Sequence, residues 1–470
     1  MTRQLFFFAL IFFLFLTFDA AFSGVQNPFS DKSLYQTAQS SLLKAARFYH
    51  SINIRGGYVY NYTVDMKEKW GEGRTDDQTI EVQPPGTPAV GMSFLTAFRA
   101  TGEKEFLDFA RDAAFALIHG QNELGGWDHK IHFDRPKSRV VSFDDDQTQS
   151  AIRFLMSLDQ EIDDDSLTLA IDKALQMMLK SQLEDGGWPH KYPVQGNYHD
   201  YATYNDGGIN DCIKVMINAH HYYGKAEYMN SLRKAAHYLV ISQLPPPQPG
   251  WAQQYNKYLQ PAWARTFEPP AVCPLVTIRN INTLIDLYMY IGRSEYLQPI
   301  PDALQWLKDV QLPSGKWARF VELYTNKPLY YDRGRIRVNN TSELSTERRT
   351  GYGYEQDLSQ SLQQAEQRFE RIKALGRDQF LQEQNRALSK QEISAKIKAL
   401  EPIVQKITAS QDELGRWITK NERYKKNVIG ALWNGEYVVR DRISSAVFNK
   451  NVGILCEFIK LCNSFNGGGK

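Results

Sequence analysis

The sequence has few cysteines, little net charge and, beyond its first residues, no long apolar run. Only four cysteines occur among 470 residues, scattered along the chain except for Cys456 and Cys462. That spacing, on an apolar helical stretch, favours buried free thiols over a disulfide framework or a zinc site. The net charge of +2 gives no global field that would attract nucleic acid or a membrane surface. We therefore expect neither as a partner of the mature protein.

The one long apolar run lies at the start of the chain. Arg3 precedes a Phe/Leu-rich run over residues 5–18, and small residues follow up to Ser23. This order of charged, apolar and small residues is typical of a secretory signal. A membrane anchor is the alternative, but about 20 apolar residues are needed to span a bilayer. We predict a signal peptide over 1–23 and a mature, secreted or periplasmic protein over 24–470.

A repeated sequence mark is the most informative feature that is present. Five times a glutamine is followed by a glycine and a tryptophan, and the tryptophans are 61, 63, 66 and 100 residues apart. Apolar residues before the marks recur at i, i+3, i+4 and i+7, which indicates helices, and each unit has room for two of them. The marks are Gln121–Trp127, Gln182–Trp188, Gln243–Trp251, Gln311–Trp317 and Gln411–Trp417.

Repeated helix pairs that bury their faces on one another form a solenoid or, if the ring closes, a toroid. A chain of this length can close one small ring. We therefore predict an all-α fold, an incomplete α/α toroid built from repeated helix pairs, with the active-site cleft on one rim. The segment from about 357 to 411 is rich in Glu, Gln, Lys and Arg. It indicates two long solvated helices within the domain and explains the wider last spacing.

Acidic residues cluster where two helices are expected to begin. Asp144, Asp145 and Asp146 precede one helix, and Asn205 and Asp206 precede another. A helix N-cap explains one acid in each cluster. Three adjacent like charges favour a bound cation, and calcium, which takes several oxygen ligands, is a reasonable candidate.

Arginines form a third cluster. Arg265 lies after the third mark, Arg319 follows the fourth, and Arg333, Arg335 and Arg337 lie in a loop. A single arginine is more often part of a surface ion pair. Several that follow repeat marks indicate recognition of an anionic ligand by forked guanidinium groups.

In this order the motifs resemble those of the polysaccharide lyase family 10 pectate lyases, from about residue 30 to Asn466. The resemblance implies an α/α toroid that cleaves polygalacturonate by calcium-assisted β-elimination, a carbon–oxygen lyase reaction that gives 4,5-unsaturated oligogalacturonates. We expect a monomer whose partner is polygalacturonate or pectin. The motifs are Phe143-Asp144-Asp145-Asp146-Gln147-Thr148, Gly187-Trp188-Pro189 with Tyr192-Pro193, Tyr204-Asn205-Asp206, Ala264-Arg265-Thr266-Phe267-Glu268-Pro269-Pro270 and Gly315-Lys316-Trp317-Ala318-Arg319-Phe320.

The resemblance also implies roles for individual residues. Asp144 and Asp206 match residues that bind calcium or the substrate at the scissile bond, so Asp144 is counted as catalytic. Arg265 matches the catalytic base, and Arg319 and Arg333 match arginines that hold uronate carboxylates. Further residues expected to contact the substrate are Asp145, Lys191, Asn205 and Asp206.

Two positions depart from the family pattern. Asp145 replaces an asparagine, which adds charge near the metal. Tyr201 replaces a histidine, which would alter a sugar subsite. Both departures concern specificity more than the reaction.

Arginine is an unusual base because its pKa lies above about 12. Calcium and other cations, such as Arg319 and Arg333, would have to disfavour its charge. An alkaline pH optimum follows.

Three other functions fit parts of the sequence. A triterpene-cyclase-like toroid would use Asp146 to protonate an isoprenoid. A secreted uronan hydrolase would use Asp144 and Asp206 as its carboxylate pair. A non-catalytic pectin-binding protein would use the arginines for affinity alone.

Overall fold

The computed structural model describes residues 32–73, 75–425 and 437–467. The predicted signal peptide lies outside these residues. In the described chain, α-helices alternate with short strands, and none of those helices is both long and apolar enough to cross a membrane.

The helices are numbered in chain order as α1 (Lys32–Ser51), α2 (Thr87–Thr101), α3 (Lys104–Gly120), α4 (Gln147–Leu158), α5 (Asp165–Ser181), α6 (Gly208–Tyr223), α7 (Ala226–Ile241), α8 (Pro274–Ile291), α9 (Ile300–Asp309), α10 (Thr346–Gly351), α11 (Ser359–Asn385), α12 (Lys390–Ala409) and α13 (Ser445–Gly467). The strands are β1 (Asn61–Thr63), β2 (Lys69–Trp70), β3 (Thr79–Glu81), β4 (Lys130–His132), β5 (Val141–Ser142), β6 (Lys191–Tyr192), β7 (Ala202–Thr203), β8 (Gln254–Tyr255), β9 (Trp317–Ala318), β10 (Tyr330–Asp332), β11 (Ile336–Val338), β12 (Glu355–Gln356), β13 (Ile418–Lys425) and β14 (Tyr437–Ser444).

The helices are arranged in pairs around a ring. Helices α2, α4, α6 and α8 pack one after another on the inside, and each packs against the next helix in the chain, which lies on the outside. The charged segment contains α11, which packs on α8, and α12, which packs on α13 and α1; α13 then packs on α2. The predicted α/α toroid built from repeated helix pairs is confirmed.

Small antiparallel sheets lie in the loops of the ring, and most of them pair loops of neighbouring repeats. The largest has the strand order β13-β14-β1-β2. In the others, β5 pairs with β6 and β7 pairs with β8. These pairings hold the long loops of successive repeats side by side on one rim.

The repeated glutamines join neighbouring outer helices. Nε2 of Gln182 donates to the carbonyl of Gly186 in its own turn, at 2.9 Å, and to the carbonyl of Ser231 in α7, at 3.0 Å. Gln121 makes the same two bonds within its turn and to α5. Gln411 bonds its own turn and the carbonyl of Ser41 in α1. The fifth mark therefore joins the last part of the ring to the first helix.

In the second mark, the glycine and the tryptophan have separate tasks. Gly186 has φ +105°, and a Cβ there would lie 2.2 Å from the carbonyl oxygen of Lys234, so no other residue fits without a shift. Trp188 is fully buried, and its Nε1 donates to the carbonyl of Met178 at 3.0 Å. The tryptophan thus fills the space between the helices while its polar atom bonds the end of the preceding helix.

The described cysteines Cys212, Cys273, Cys456 and Cys462 are buried and unpaired. This agrees with the prediction of free thiols. Burial raises the pKa of the Cys273 thiol to about 12, so it carries no thiolate charge at neutral pH.

Candidate active site

Two acidic turns of the same shape meet at one rim of the ring. Residues Asp144–Asp146 form a 3₁₀ turn before α4, and Asn205–Gly207 form one before α6. The central residues, Asp145 and Asp206, both have a backbone φ of +47°, a conformation that residues other than glycine rarely adopt. They are 61 residues apart, as are the tryptophans of the first two marks. The two turns therefore occupy equivalent positions in neighbouring repeats.

The turns bring three carboxylates together. Oxygens of Asp144, Asp145 and Asp206 all lie within 4.8 Å of one another. Burial and the charge of Asp206 raise the pKa of Asp144 to about 6, and burial and the charge of Asp144 raise the pKa of Asp145 to about 8. Oδ1 of Asp144 is buried and has no hydrogen-bond partner. Repelling carboxylate oxygens with an unused acceptor fit a calcium ion, which prefers several oxygen ligands.

The third acid of the run has a different environment. Oδ2 of Asp146 accepts a hydrogen bond from Nη2 of the half-buried Arg153 at 2.5 Å. This pairing neutralises the charge of Asp146 within the fold. The acid proposed for a cyclase is therefore held in an ion pair.

Arg265 is held by a neighbour that the sequence analysis did not single out. Its Nε and Nη2 donate to the two carboxylate oxygens of Glu268 at 2.8 and 2.6 Å, and its backbone N–H donates at 3.0 Å. Glu268 is 2% exposed and also accepts a hydrogen bond from the hydroxyl of Tyr352. The guanidinium is therefore fixed in one orientation by a buried carboxylate.

This pairing opposes the expected lowering of the arginine's pKa. Burial lowers the pKa of Arg265, but the hydrogen bonds and charge of Glu268 outweigh it, so the pKa is raised above its ordinary value. Burial raises the pKa of Glu268, but the hydrogen bond and charge of Arg265 outweigh this effect and lower the pKa to about 2. The spacing of three residues between Arg265 and Glu268 was the available signal for this pair.

Arg319 lies beside Tyr352 on the same rim. Its Cζ is 4.2 Å from the centre of the Tyr352 ring, and its Nη1 donates to the Tyr352 carbonyl at 3.4 Å. Its buried Nε has no hydrogen-bond partner. Burial lowers the pKa of Arg319, but Tyr352 and the acids Asp206 and Glu268 raise it on balance. A cation with an unused donor near the acids suits an anionic ligand.

Arg333 lies across the ring of Phe267 from the same cluster. Its Cζ is 5.0 Å from the ring centre, and its Nε and Nη2 donate to Glu347 at 2.9 and 2.7 Å. Arg348, which the sequence analysis missed, also pairs with Glu347 and stacks on Phe267 at 4.1 Å. Arg333 is thus close to Arg265, and the charge of Arg265 opposes the rise in the pKa of Arg333 that the hydrogen bond to Glu347 causes.

Lys191 and Asn205 lie on the loops that frame the acids. Lys191 belongs to β6 and pairs with Ser142 of β5, two residues before Asp144. Asn205 is buried, and its backbone N–H donates to the hydroxyl of Thr203 at 3.0 Å. Burial raises the pKa of Asp144 and Asp145, and the charge of Arg265 offsets part of that rise at both residues. The predicted acids and Arg265 therefore share one electrostatic environment.

Glu268→Gln should destabilise the protein by about 3 kcal/mol at neutral pH, because the pKa of Glu268 falls from 4.5 to about 2 on folding. Because the pKa of Glu268 is lower in the folded state, its carboxylate stabilises the fold fully when the pH is above 4.5, the pKa in the unfolded chain. This contribution decreases below pH 4.5 and is lost as the pH falls through about 2. Urea unfolding at pH 7 and pH 3 measures the effect. The difference between variant and parent should shrink at pH 3.

The matched control is Glu105→Gln. Glu105 also forms a two-bond pair with an arginine, Arg47, but on the surface. Such pairs contribute about 0–1 kcal/mol. Equal losses for both variants would contradict the role assigned to burial.

Comparison with known proteins agrees with this geometry. A family model described as Pectic acid lyase matches residues 132–274 and 314–363. These segments contain the three acids, Arg265, Arg319 and Arg333. The predicted resemblance is confirmed. The match to the pectic acid lyase family supports a polysaccharide lyase of the pectate lyase type.

Solved structures are similar to the chain at low sequence identity. A D-mannose isomerase has a TM-score of 0.50 and 13% identity, over 93% of this chain and 100% of its own. A point mutant of the family 10 polysaccharide lyase from Cellvibrio cellulosa, in complex with trigalacturonic acid, has a TM-score of 0.49 and 19% identity, over 62% of this chain and 98% of its own. None of the curated proteins matches the chain in sequence. The likeness to the isomerase concerns the fold alone.

Proposed function

We propose that the protein is a pectate lyase that cleaves α-1,4-linked polygalacturonate by calcium-assisted β-elimination. The observation that carries this proposal is the group of three carboxylates within 4.8 Å of one another, beside the fixed guanidinium of Arg265. The match to the pectic acid lyase family spans both parts of this arrangement.

Each part of the site has a task in such a reaction. Asp144 and Asp206, with Asp145 beside them, would hold calcium, which makes the proton on C5 of a bound galacturonate more acidic by withdrawing charge through its C6 carboxylate. Arg319 and Arg333 would bind uronate carboxylates. Removal of the C5 proton and loss of the C4 oxygen leave a double bond between C4 and C5.

Arg265 is the proposed base, and Glu268 determines which of its atoms can act. Nε and Nη2 are engaged by Glu268, which leaves Nη1 for the C5 proton. Because Glu268 favours the charged guanidinium, a neutral fraction depends on opposing cations near Nη1. Arg319, Arg333 and a bound calcium ion would supply them. The alkaline pH optimum expected from the sequence remains part of this proposal.

The test is ultraviolet absorbance of polygalacturonate with the purified protein at alkaline pH. Calcium should produce a steady rise from the C4–C5 double bond, and a chelator should abolish it. Asp206→Asn should lower the rate by about 10²-fold or more at limiting calcium, because it removes a ligand charge from the cluster. Asp165→Asn, which changes an exposed acid in the first turn of α5, is the matched control and should behave like the parent.

The same assay separates the other functions. New reducing ends without absorbance would establish hydrolysis and overturn the lyase proposal. Binding of polygalacturonate with neither product would establish a non-catalytic pectin-binding protein. The ion pair between Asp146 and Arg153 gives no support to a cyclase.

We also propose that the protein acts outside the inner membrane, as the N-terminal signal segment predicts. The mature N-terminus should then lie near residue 24. Mass spectrometry of the protein recovered from the periplasm or medium measures it, and an uncleaved Met1 in that fraction would contradict the proposed processing.

A further inference from the structure

Two adjoining cavities lie on the loop of the first repeat, outside the site described above. The larger, about 370 Å³, is lined by the end of α3 and by the loop from Trp127 to Ser138. The smaller, about 310 Å³, is lined by α3 and by the turn at Arg55. His119 and Phe133 line both cavities. Together they form one continuous groove, which we call the first-repeat groove.

The first-repeat groove adjoins the acidic cluster. His129 lines the larger cavity, and its Nδ1 contacts Nε2 of Gln147, the residue after Asp146. His129 is also close enough to Asp144 to offset part of the rise in its pKa that burial and Asp206 cause. The loop is fixed to α4 because the hydroxyl of Thr148 donates to the carbonyl of Trp127 at 3.0 Å. The larger cavity therefore lies next to the start of α4, which follows the acidic turn.

The order of helices places the groove and Arg265 on opposite sides of the acids. The loop with the groove precedes α4, the acidic turns begin α4 and α6, and Arg265 precedes α8. These helices pack in that order around the ring. A polymer bound across the acids with one end toward Arg265 would have its other end at the first-repeat groove.

The lining of the groove suits an anionic sugar chain. The walls of the two cavities carry four cations, Arg55, Lys130, Arg135 and Lys137, against two carboxylates, those of Asp112 and Asp128. Phe133 lines both cavities and is half-buried, and the guanidinium of Arg55 lies over its ring, 5.1 Å from the ring centre. Cations attract the carboxylates of a uronate.

Two of these cations make no hydrogen bond to a carboxylate of the described residues, although Arg135 lies within ion-pair distance of Asp76 and Asp134. The guanidinium of Arg135 lies 3.7 Å from the nearest oxygens of Asp76 and Asp134, beyond hydrogen-bond distance. Nζ of Lys137 donates to the backbone carbonyl of Gln121 at 2.9 Å. The acceptor of this hydrogen bond is a neutral group and not a carboxylate. Lys130, in contrast, pairs with the buried Glu81 at 3.1 Å. Arg135 and Lys137 are therefore the residues to test.

We propose that the first-repeat groove is a distal binding site for further uronate residues of the same polysaccharide chain. The inference rests on the proposed function for the identity of the polymer. It predicts that the protein distinguishes long oligogalacturonates from trigalacturonate by affinity, because only long chains reach both the acids and the groove.

The experiment is isothermal titration of the full-length mature protein with trigalacturonate and with a long oligogalacturonate. In Arg135→Ala/Lys137→Ala, affinity for the long chain should fall about fivefold to tenfold, the effect of two partly exposed charge contacts. Affinity for trigalacturonate should fall much less. Lys180→Ala/Arg233→Ala removes the same charges from exposed positions on α5 and α7 and is the matched control.

Equal losses for the two ligands, or the same long-chain loss in the control, would overturn the inference. A circular dichroism melt verifies that the variants are folded, and Phe133→Ala provides a second, uncharged test that should weaken long-chain binding in the same selective way. All titrations use the Arg265→Lys background, in which binding should be measured with little turnover, so a failed lyase reaction remains distinguishable. Selective long-chain loss, when the parent protein forms no double bond, would support the groove and refute the lyase.

Discussion

Arg265→Lys should reduce turnover of polygalacturonate by about 10²–10⁴-fold, the usual contribution of a positioned general base, and leave most of the binding affinity intact. Lysine keeps the positive charge but cannot make the two parallel bonds that fix the guanidinium on Glu268. Its ammonium would therefore not hold a nitrogen where Nη1 lies. Initial rates from double-bond absorbance, together with calorimetric affinity for trigalacturonate, measure the two effects separately.

Arg337→Lys is the control for this substitution. Arg337 lies in β11, in the same hairpin as Arg333 and not in the loop expected from the sequence. It is largely exposed and pairs with Glu322 at 2.6 Å, so its variant should keep the parental rate. A near-parental rate for Arg265→Lys would remove Arg265 from the base role. If the slow variant instead lost affinity in proportion to its rate, the arginine would serve in binding rather than in proton removal.

Trp188→Ala should destabilise the fold by about 3–5 kcal/mol, the range for a large aromatic residue removed from a core. The side chain is fully buried, and its Nε1 caps the carbonyl of Met178 at the end of α5. Its removal leaves both a cavity between two repeats and an unpaired carbonyl. Urea unfolding followed by circular dichroism measures the loss.

Two further tryptophan variants separate these causes. Trp188→Phe keeps much of the ring but loses the hydrogen bond, and should cost about 1 kcal/mol for that bond plus a smaller packing loss. Trp263→Ala removes a tryptophan that belongs to no repeat mark and is only half-buried, so it should cost clearly less than Trp188→Ala. Similar losses at the two positions would mean that the mark has no special structural task.

The architecture could be predicted from the sequence where the same residues recur in each repeat. The marks predicted both the helix pairs and their turns, because a turn that needs a glycine and a buried ring that needs a tryptophan admit few substitutes. The way in which α11 and α12 continue the ring did not follow. Their polar faces hide the buried positions, such as Phe369 and Ile397, which pack against the rest of the core only after the ring has formed.

The acids of the candidate site could be placed from the sequence because equivalent residues of adjacent repeats lie side by side. Asp144, Asp145 and Asp206 meet for that reason. The rise in the pKa of Arg265 could not be predicted from the sequence, since it depends on how deeply Glu268 is buried. The cavities also escaped the sequence analysis, since their cations are scattered over a loop without a recurring pattern.

The bond between Gln411 and Ser41 has a consequence for the order in which the protein is made. These residues are 370 positions apart, so the outer face of α1 waits for its partner until almost the whole chain has emerged. Contacts of such separation form late and slowly. A chain shortened before the fifth mark would also lack α13, which packs on α1 and α2, and would leave apolar faces of these two helices uncovered.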